Sequence, residues 1–561
     1  MGSRIRAYSI PTSLYGWLLV DYADRLIDWT YCGIPGGIPN YTTVAATFSA
    51  GATPSQISAA ITAASGHADG RVVYLNAGTY SLTGMDFGKN NHVVLRGAGA
   101  GQTIINATGA DVITMGGNSS LYNQPLYTIS GGIAKGAITL TLSASPPASA
   151  VVDSLIIVTE EADYNIMWHR TGNNDGDIRI HYHTARITGV DGNAISFTPP
   201  NPYAFSAGRN PRIRFMANGP GVSMCGVENM TINGGGAERA SWMMFADRFW
   251  FNKVELNNFT ATAGFLRLQM SNQCEIRRCY IHNATGYPAQ SDGYPILLNY
   301  ETSSTLVEDN VFAYHACAIQ NGSSSNVWGY NYTYASARAN MTYGQGAMLC
   351  NHGPHCVMDL FEGNVYDFFA NDSYHGSSSH QFLFRNWING INPTSTNNRQ
   401  LIDLGRASLY HSVVGNVLGD PSWEPDAYEA HGGQSHDYGC IYKLEYPDAG
   451  SFAYTPSTTW LNWSTNPYWT VTFPNTDNAD TMLRHGNYDY YNNAAVWDGG
   501  IVSHSIPNSL YLSSKPSWFG SLVWPAFGPD VSGLVQHIPA KDRWDAYVIS
   551  ADIDDLFADT P

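Results

Sequence analysis

The sequence predicts an all-β chain wound into a parallel β-helix, and two observations carry that expectation. The first is composition. The 561 residues include 55 Gly and only 13% charged residues, with Ser, Thr and Asn plentiful and Glu and Lys scarce, a balance that favours strands and turns over helices. The second is a repeat, in which an apolar residue and two variable residues precede an Asn. It reads Val307-Glu308-Asp309-Asn310, Trp328-Gly329-Tyr330-Asn331, Phe361-Glu362-Gly363-Asn364, Leu383-Phe384-Arg385-Asn386 and Val413-Val414-Gly415-Asn416, with Cys279 in the Asn place after Ile276. From Cys279 the steps are 31, 21, 33, 22 and 30 residues. The short steps match one bare coil, and the long ones a coil carrying an insertion. Coils stacked at about 4.8 Å would bring like residues over like, with Ile276, Val307, Trp328, Phe361, Leu383 and Val413 inside and the Asn amides bonded in a ladder. A hairpin sandwich would instead show Asn-Gly or Asp-Gly turns every ~8–12 residues, and these pairs are rare.

Residues 1–40 read as an N-terminal extension ending in Gly33-Ile34-Pro35-Gly36-Gly37-Ile38-Pro39. Ile57 to Ala64 has the pattern of a short amphipathic helix, followed by strand-like Gly70 to Tyr80 and Val93 to Gly99. That order resembles the capping helix and first coils of the pectate-lyase-like, right-handed parallel β-helix superfamily, over residues 40–430. The resemblance implies secreted carbohydrate-active proteins, among them hydrolases, lyases and non-catalytic fibres, and leaves the reaction open. Within a β-helix of residues 41–430, residues 125–215 depart from the coil pattern and read as a β-rich insertion, with Glu160, Glu161, Asp163, Trp168, His169 and Arg170 near its middle. Beyond residue 430 the Asn repeat is no longer visible. Residues 431–561, rich in Trp, Tyr and Pro, are expected to form an irregular C-terminal region that wraps or caps the last coils and covers otherwise adhesive edges.

Composition also excludes partners. With 28 Lys and Arg against 45 Asp and Glu and a net charge of −17, no basic stripe is available to neutralise phosphates, so no nucleic acid is expected. No apolar run reaches the ~18 residues of a membrane span. Ser13 to Val20 is too short for a signal peptide, and Met1-Gly2-Ser3 looks like a cloning remnant replacing one. The eight cysteines form no paired CxxC spacing, which argues against a structural zinc and permits disulfides. A secreted monomer is expected, since no C-terminal heptad pattern is present.

The long repeat steps place insertions at residues 282–298, 335–356 and 389–409, all leaving the coil after the same turn. Three stacked loops would wall a groove suited to a linear polysaccharide. The densest polar cluster lies there. Asp372 and Asp403 fall 14 and 13 residues before their Asn, which puts them on adjacent coils at an expected separation of about 5–6 Å. Paired carboxylates suit glycosidic hydrolysis, so Asp372 and Asp403 lead the catalytic candidates, with Glu362, His375 and His380 behind them. Glu362 also shares a column with Arg277 and Glu308, two residues placed to form an ordinary cross-coil ion pair. Arg385, Arg406, Asp292, His352 and Tyr294 are candidates for substrate binding. A glycoside hydrolase leads. The alternative is a polysaccharide lyase, which needs a base such as His and a group to neutralise a uronate; Asp359 could then hold Ca²⁺, the one cofactor the sequence suggests. A non-catalytic carbohydrate-binding or structural β-helix is the third reading.

Overall fold

A computed structural model describes residues 18, 22–107, 109–115, 124–163, 165–167, 179–216, 220–260, 264–285, 287, 293–336, 348–373, 375–393, 399–431, 438–446 and 478–559. Each coil contributes two short strands to a 22-stranded sheet and one to an 11-stranded sheet, and neighbouring coils pair in parallel throughout both. Only the last pairing of the larger sheet, between Asn487–Asp489 and Ala494–Val496, is antiparallel. The architecture is an all-β parallel β-helix.

The expected columns are in register. Ile276 lies beside Val307, then Trp328, Phe361, Leu383 and Val413, all buried in one apolar core. Between the two strands that each coil gives the larger sheet runs the Asn ladder. The Nδ2 of Asn310 donates to Asn331 Oδ1 at 2.9 Å, Asn331 to Asn364 at 3.0 Å, Asn364 to Asn386 at 3.0 Å and Asn386 to Asn416 at 2.9 Å. Each Oδ1 also accepts the backbone N–H of the preceding Asn. The corner of every coil thus satisfies polar groups that water cannot reach. The ladder also continues past residue 430, because Asn416 Nδ2 donates to Asn487 Oδ1 at 3.0 Å and Leu483–His485 and Asn487–Asp489 add a further coil. The interval of 71 residues hid that coil from the repeat count.

Helix α1, Pro54–Ala64, caps the first coils. Thr53 and Gln56 form a capping box at its start, and Ile57, Ile61 and Ala64 seal the core. Residues 126–215 form a closed six-stranded barrel, which meets the coil turns through Arg214–Glu301 (3.3 Å) and Thr184 N–H donating to Ser303 Oγ (3.1 Å). Its apolar flank, Leu155, Ile157 and Tyr182, packs on Met244, Phe245 and Met270 of the coils.

Both termini run along the helix rather than across its end. The N-terminal arm descends coil by coil: Arg25 donates to the carbonyls of His411 and Thr481, Trp29 to Met358, the Cys32 thiol to Ser325, and Gly33 N–H to Ser304. The C-terminal tail covers the outer face of the 22-stranded sheet. Arg385 binds Asp530 at 2.8 Å and the carbonyls of Ile506, Pro507 and Phe527. Leu510 N–H donates to Glu362, Tyr511 Oη to Glu308 (2.6 Å), and Arg543 pairs with Asp309 (3.0 Å). Helix α2, Pro539–Ser550, sets Trp544 among Tyr280, Tyr314, Tyr332 and Tyr334. The tail is therefore a lengthwise strap. All eight cysteines are free thiols, seven of them buried, so the disulfides permitted by the even count are not formed. Among the described residues no helix is long and apolar enough to cross a membrane.

Candidate functional site

With the tail over the larger sheet, the outer face of the 11-stranded sheet is left to carry a site. Alternation decides which side chains reach it. Ile402 and Leu404 enter the core, so Asp403 points outward; Tyr442 and Leu444 enter, so Lys443 points outward beside it. Lys443 Nζ lies 3.8 Å from Asp403 Oδ2, and Gln400 Nε2 donates to the same oxygen at 3.3 Å. Burial raises the Asp403 carboxyl to about 6, Lys443 opposes the shift, and the nearby charge of Asp372 adds to it.

Asp372 follows strand Phe369–Asn371 on the preceding coil. Ala370 faces Asp403 and Asn371 faces Leu404, so Asp372 stands two residues beyond the position opposite Asp403. With ~4.8 Å between strands and ~3.3 Å per residue, the Cα atoms are about 8 Å apart. Asp372 Oδ2 lies 2.5 Å from His352 Nδ1, and the His375 ring stands edge-on to His352 at 4.8 Å. The His352 side chain is 26% exposed and that of Asp372 10%. Arg406 is half-buried just after the Asp403 strand. Tyr294 packs with Leu297, Phe368 and Ala370 in an apolar patch adjoining that strand. Asp372, Asp403, His352, His375 and Arg406 thus belong to this sheet or the turns that follow its strands, while Tyr294 lies just before the strand Ile296–Ser303.

The remaining candidates lie elsewhere. Glu362 is fully buried on the larger sheet, accepting from Tyr330 Oη (3.1 Å) and Leu510 N–H (2.8 Å), and that burial raises its carboxyl to about 7. Arg385 is 1% exposed and spent on the tail. The neighbouring column holds the expected Arg277–Glu308 ion pair. His380 stacks on Tyr410 at 5.0 Å and bonds Ser379; burial, with the positive charge of Arg25, lowers it to about 3. Asp359 belongs to a second interior ladder, its Oδ1 accepting Asn326 N–H (2.8 Å) and Asn326 Nδ2 (2.9 Å). Held inside the coil, that donor set does not suit a cation shared with a substrate, and among the described residues no three His, Cys, Asp or Glu converge as metal ligands. Asp292, Trp168, His169 and Arg170 lie outside the described residues.

Sequence reasoning missed Lys443, although it is the single charge between core residues Tyr442 and Leu444 and so had a strand-alternation signal. It also missed Trp242, which carries Arg239 and Arg267 over its ring at 5.0 and 4.8 Å on the same sheet. Only coil register brings these three together. The sheet face therefore has an aromatic stretch on its early coils, where Arg239 is paired with Asp111 and Glu238, and a carboxylate–imidazole stretch on its late ones.

The fold and this face define the molecule as a parallel β-helix protein with a barrel inserted between coils and a buried cluster of polar side chains on the outer side of one sheet. No family model matches the sequence, and no curated protein does. Solved structures are similar to it at low identity. The tailspike protein gp49 from Pseudomonas phage LKA1 aligns at 14% identity and TM-score 0.41, over 67% of this chain and 63% of that one. The tailspike gp61 of Pseudomonas phage phi297 aligns at 16% and 0.42, over 74% and 76%. A mannuronic acid specific polysaccharide family 6 lyase from human gut microbiota aligns at 13% and 0.33, over 80% and 86%. This chain thus spans under two thirds of the first tailspike's length. The fold assignment rests on the coil topology itself.

Proposed function

We propose that this chain cleaves a polysaccharide in the groove of the 11-stranded sheet, and that it does so as a glycoside hydrolase with Asp403 as general acid and Asp372 as general base. The observation that carries the reading is the Asp403 carboxyl, raised to about 6 beside a second carboxylate on the adjacent coil. A carboxyl raised by its surroundings beside a second carboxylate is an arrangement suited to acid–base catalysis. The carboxyl held neutral donates its proton to the glycosidic oxygen as the bond breaks. Asp372 takes a proton from the attacking water. Lys443 and Gln400 fix the Asp403 carboxyl, and His352 holds Asp372. Tyr294 and the Trp242 region supply aromatic surface for sugar rings. A polymer substrate of this kind is met outside the cell, as expected for a secreted protein.

One observation favours a second reading. A carboxylate 2.5 Å from an imidazole Nδ1 is also how a histidine base is oriented, so His352 could abstract the proton beside a uronate carboxylate and drive elimination. The deciding experiment incubates the protein with neutral and acidic polysaccharides, with and without a chelator, and follows reducing ends together with ultraviolet absorbance of unsaturated uronate. New reducing ends without absorbance, lost by about 10²–10⁴-fold in Asp403→Asn, are expected. Absorbance rising with the reducing ends, and abolished by His352→Ala, would replace hydrolysis by elimination. No cleavage of any polymer would leave a binding β-helix.

A further inference from the structure

At the opposite ends of the strands of the 11-stranded sheet, and on earlier coils than Asp372 and Asp403, the turns border a cavity that is largely open to solvent. It has a volume of about 350 Å³ and is lined by Asn258, Asn283, Ala284, Thr285, Tyr287 and Tyr314. That is the lower end of the size range of ligand pockets. The tyrosine rings meet edge to face at 5.7 Å. Tyr314 is backed by Tyr334 at 5.7 Å and Trp544 at 6.4 Å, so the tail helix fixes one wall. Asn258 and Asn283 are exposed, and Thr285 Oγ1 donates to Asn258 Oδ1 at 2.8 Å, which orients that amide.

The cavity also terminates a surface feature. Outside the coils, a second amide ladder runs from Asn283 Nδ2 to Asn257 Oδ1 (3.1 Å), Asn257 to Asn233 (3.2 Å) and Asn233 to Asn106 (3.0 Å). Unlike the buried corner ladder, this row faces solvent, so the fold does not need it to satisfy dry polar groups. It presents side-chain amides at the coil spacing of about 4.8 Å.

We propose that this ladder and cavity form a second saccharide site, which holds a neutral pyranose chain and does no chemistry. Paired amides match the donor and acceptor directions of vicinal hydroxyls. Tyrosine rings match the apolar face of a pyranose. No side chain lining the cavity is charged, which selects a neutral sugar over a uronate or a phosphate-bearing polymer. The site lies across the sheet from the carboxylate groove, so it tethers a polymer while the groove acts. The proposal stands whether or not the groove cleaves.

The test is retardation of the full-length protein in native gels containing dextran, amylose, mixed-linkage β-glucan, galactomannan or xylan, with polygalacturonate as the charged control. At least one neutral polymer is expected to retard the protein. Tyr287→Ala and Asn283→Ala should each weaken that retardation about tenfold, the usual effect of truncating an anchoring contact, and Tyr287→Phe should keep it. These variants should retain the parent melting temperature and any cleavage of short soluble oligosaccharides. Asp403→Asn should do the reverse, removing cleavage and keeping the Tyr287-dependent retardation. Retardation by no neutral polymer, by the charged polymer alone, or with no dependence on Tyr287 and Asn283 overturns the proposal. Tyr287-dependent retardation without cleavage of any substrate would keep this site and remove the catalytic reading.

Discussion

Replacing Asn364 by alanine tests the physics on which the whole stack rests. Its Oδ1 accepts the Asn331 N–H at 2.9 Å and Asn331 Nδ2 at 3.0 Å, and its Nδ2 donates to the Trp328 carbonyl at 2.8 Å and Asn386 Oδ1 at 3.0 Å. Four hydrogen bonds at about 0.5–1.5 kcal/mol each give a loss of about 2–6 kcal/mol. The upper half of that range is expected, because Asn364 is 3% exposed and water cannot satisfy the orphaned Asn331 N–H. Asn233→Ala on the outer ladder is the control. It removes amide contacts of similar length, 3.0 and 3.2 Å, but at a half-buried surface position where water replaces them, and should cost below about 1 kcal/mol. Guanidinium unfolding of the two variants and the parent, followed by tryptophan fluorescence and by circular dichroism, gives the comparison. Equal losses, or a loss below about 1 kcal/mol for Asn364→Ala, would refute the claim that the buried corner ladder, rather than apolar stacking alone, holds the coils in register.

Three further outcomes follow from the same geometry. Arg385→Ala removes the anchor under residues 506–530, whose carbonyls and Asp530 it binds, so limited proteolysis should cut the tail at least about tenfold faster while the coils resist. Asp359 is held protonated up to about 8 in the folded chain, against 3.8 as its ordinary value. The unfolded chain therefore releases its proton first, and the stability contributed by this group falls as pH rises from about 4 to about 8. Asp359→Asn should accordingly stabilise the protein, by a margin that grows across that window in thermal unfolding at stepped pH and vanishes below it. For the reaction, Asp403 must carry its proton, so the rate should fall as pH climbs through about 6; a flat profile across that range would remove Asp403 from the acid role.

The interior of the coils was legible because stacking repeats a requirement. Each turn needs an apolar residue at the column of Ile276 and Val413 and an amide at the column of Asn310 and Asn416, and that demand leaves a period in the chain. Where an interruption was long, the period could not be followed, so the coil at Asn487 escaped notice; it keeps the amide but places Arg484 in the apolar column beside Val413. Outward-facing residues leave no such trace. Glu362 and Arg385 look like site residues in sequence, being polar and close to Asp359 and Asp372, and nothing local says that a tail more than a hundred residues downstream will cover them.

The sequence by itself determined the class of fold, the coil register and the capping helix, because these follow from local patterns and from contacts between like positions of successive coils. Tertiary structure alone decided which face the tail covers. The path of the arm from His411 down to Ser304, and of the tail from Arg385 to Asp309, withdraws the larger sheet from solvent and leaves the smaller sheet to bring Asp372, His352, Asp403 and Lys443 together. Those paths are set by contacts between segments far apart in the chain, such as Arg543 with Asp309, 234 residues away, and separations of that kind carry no period for a sequence to display.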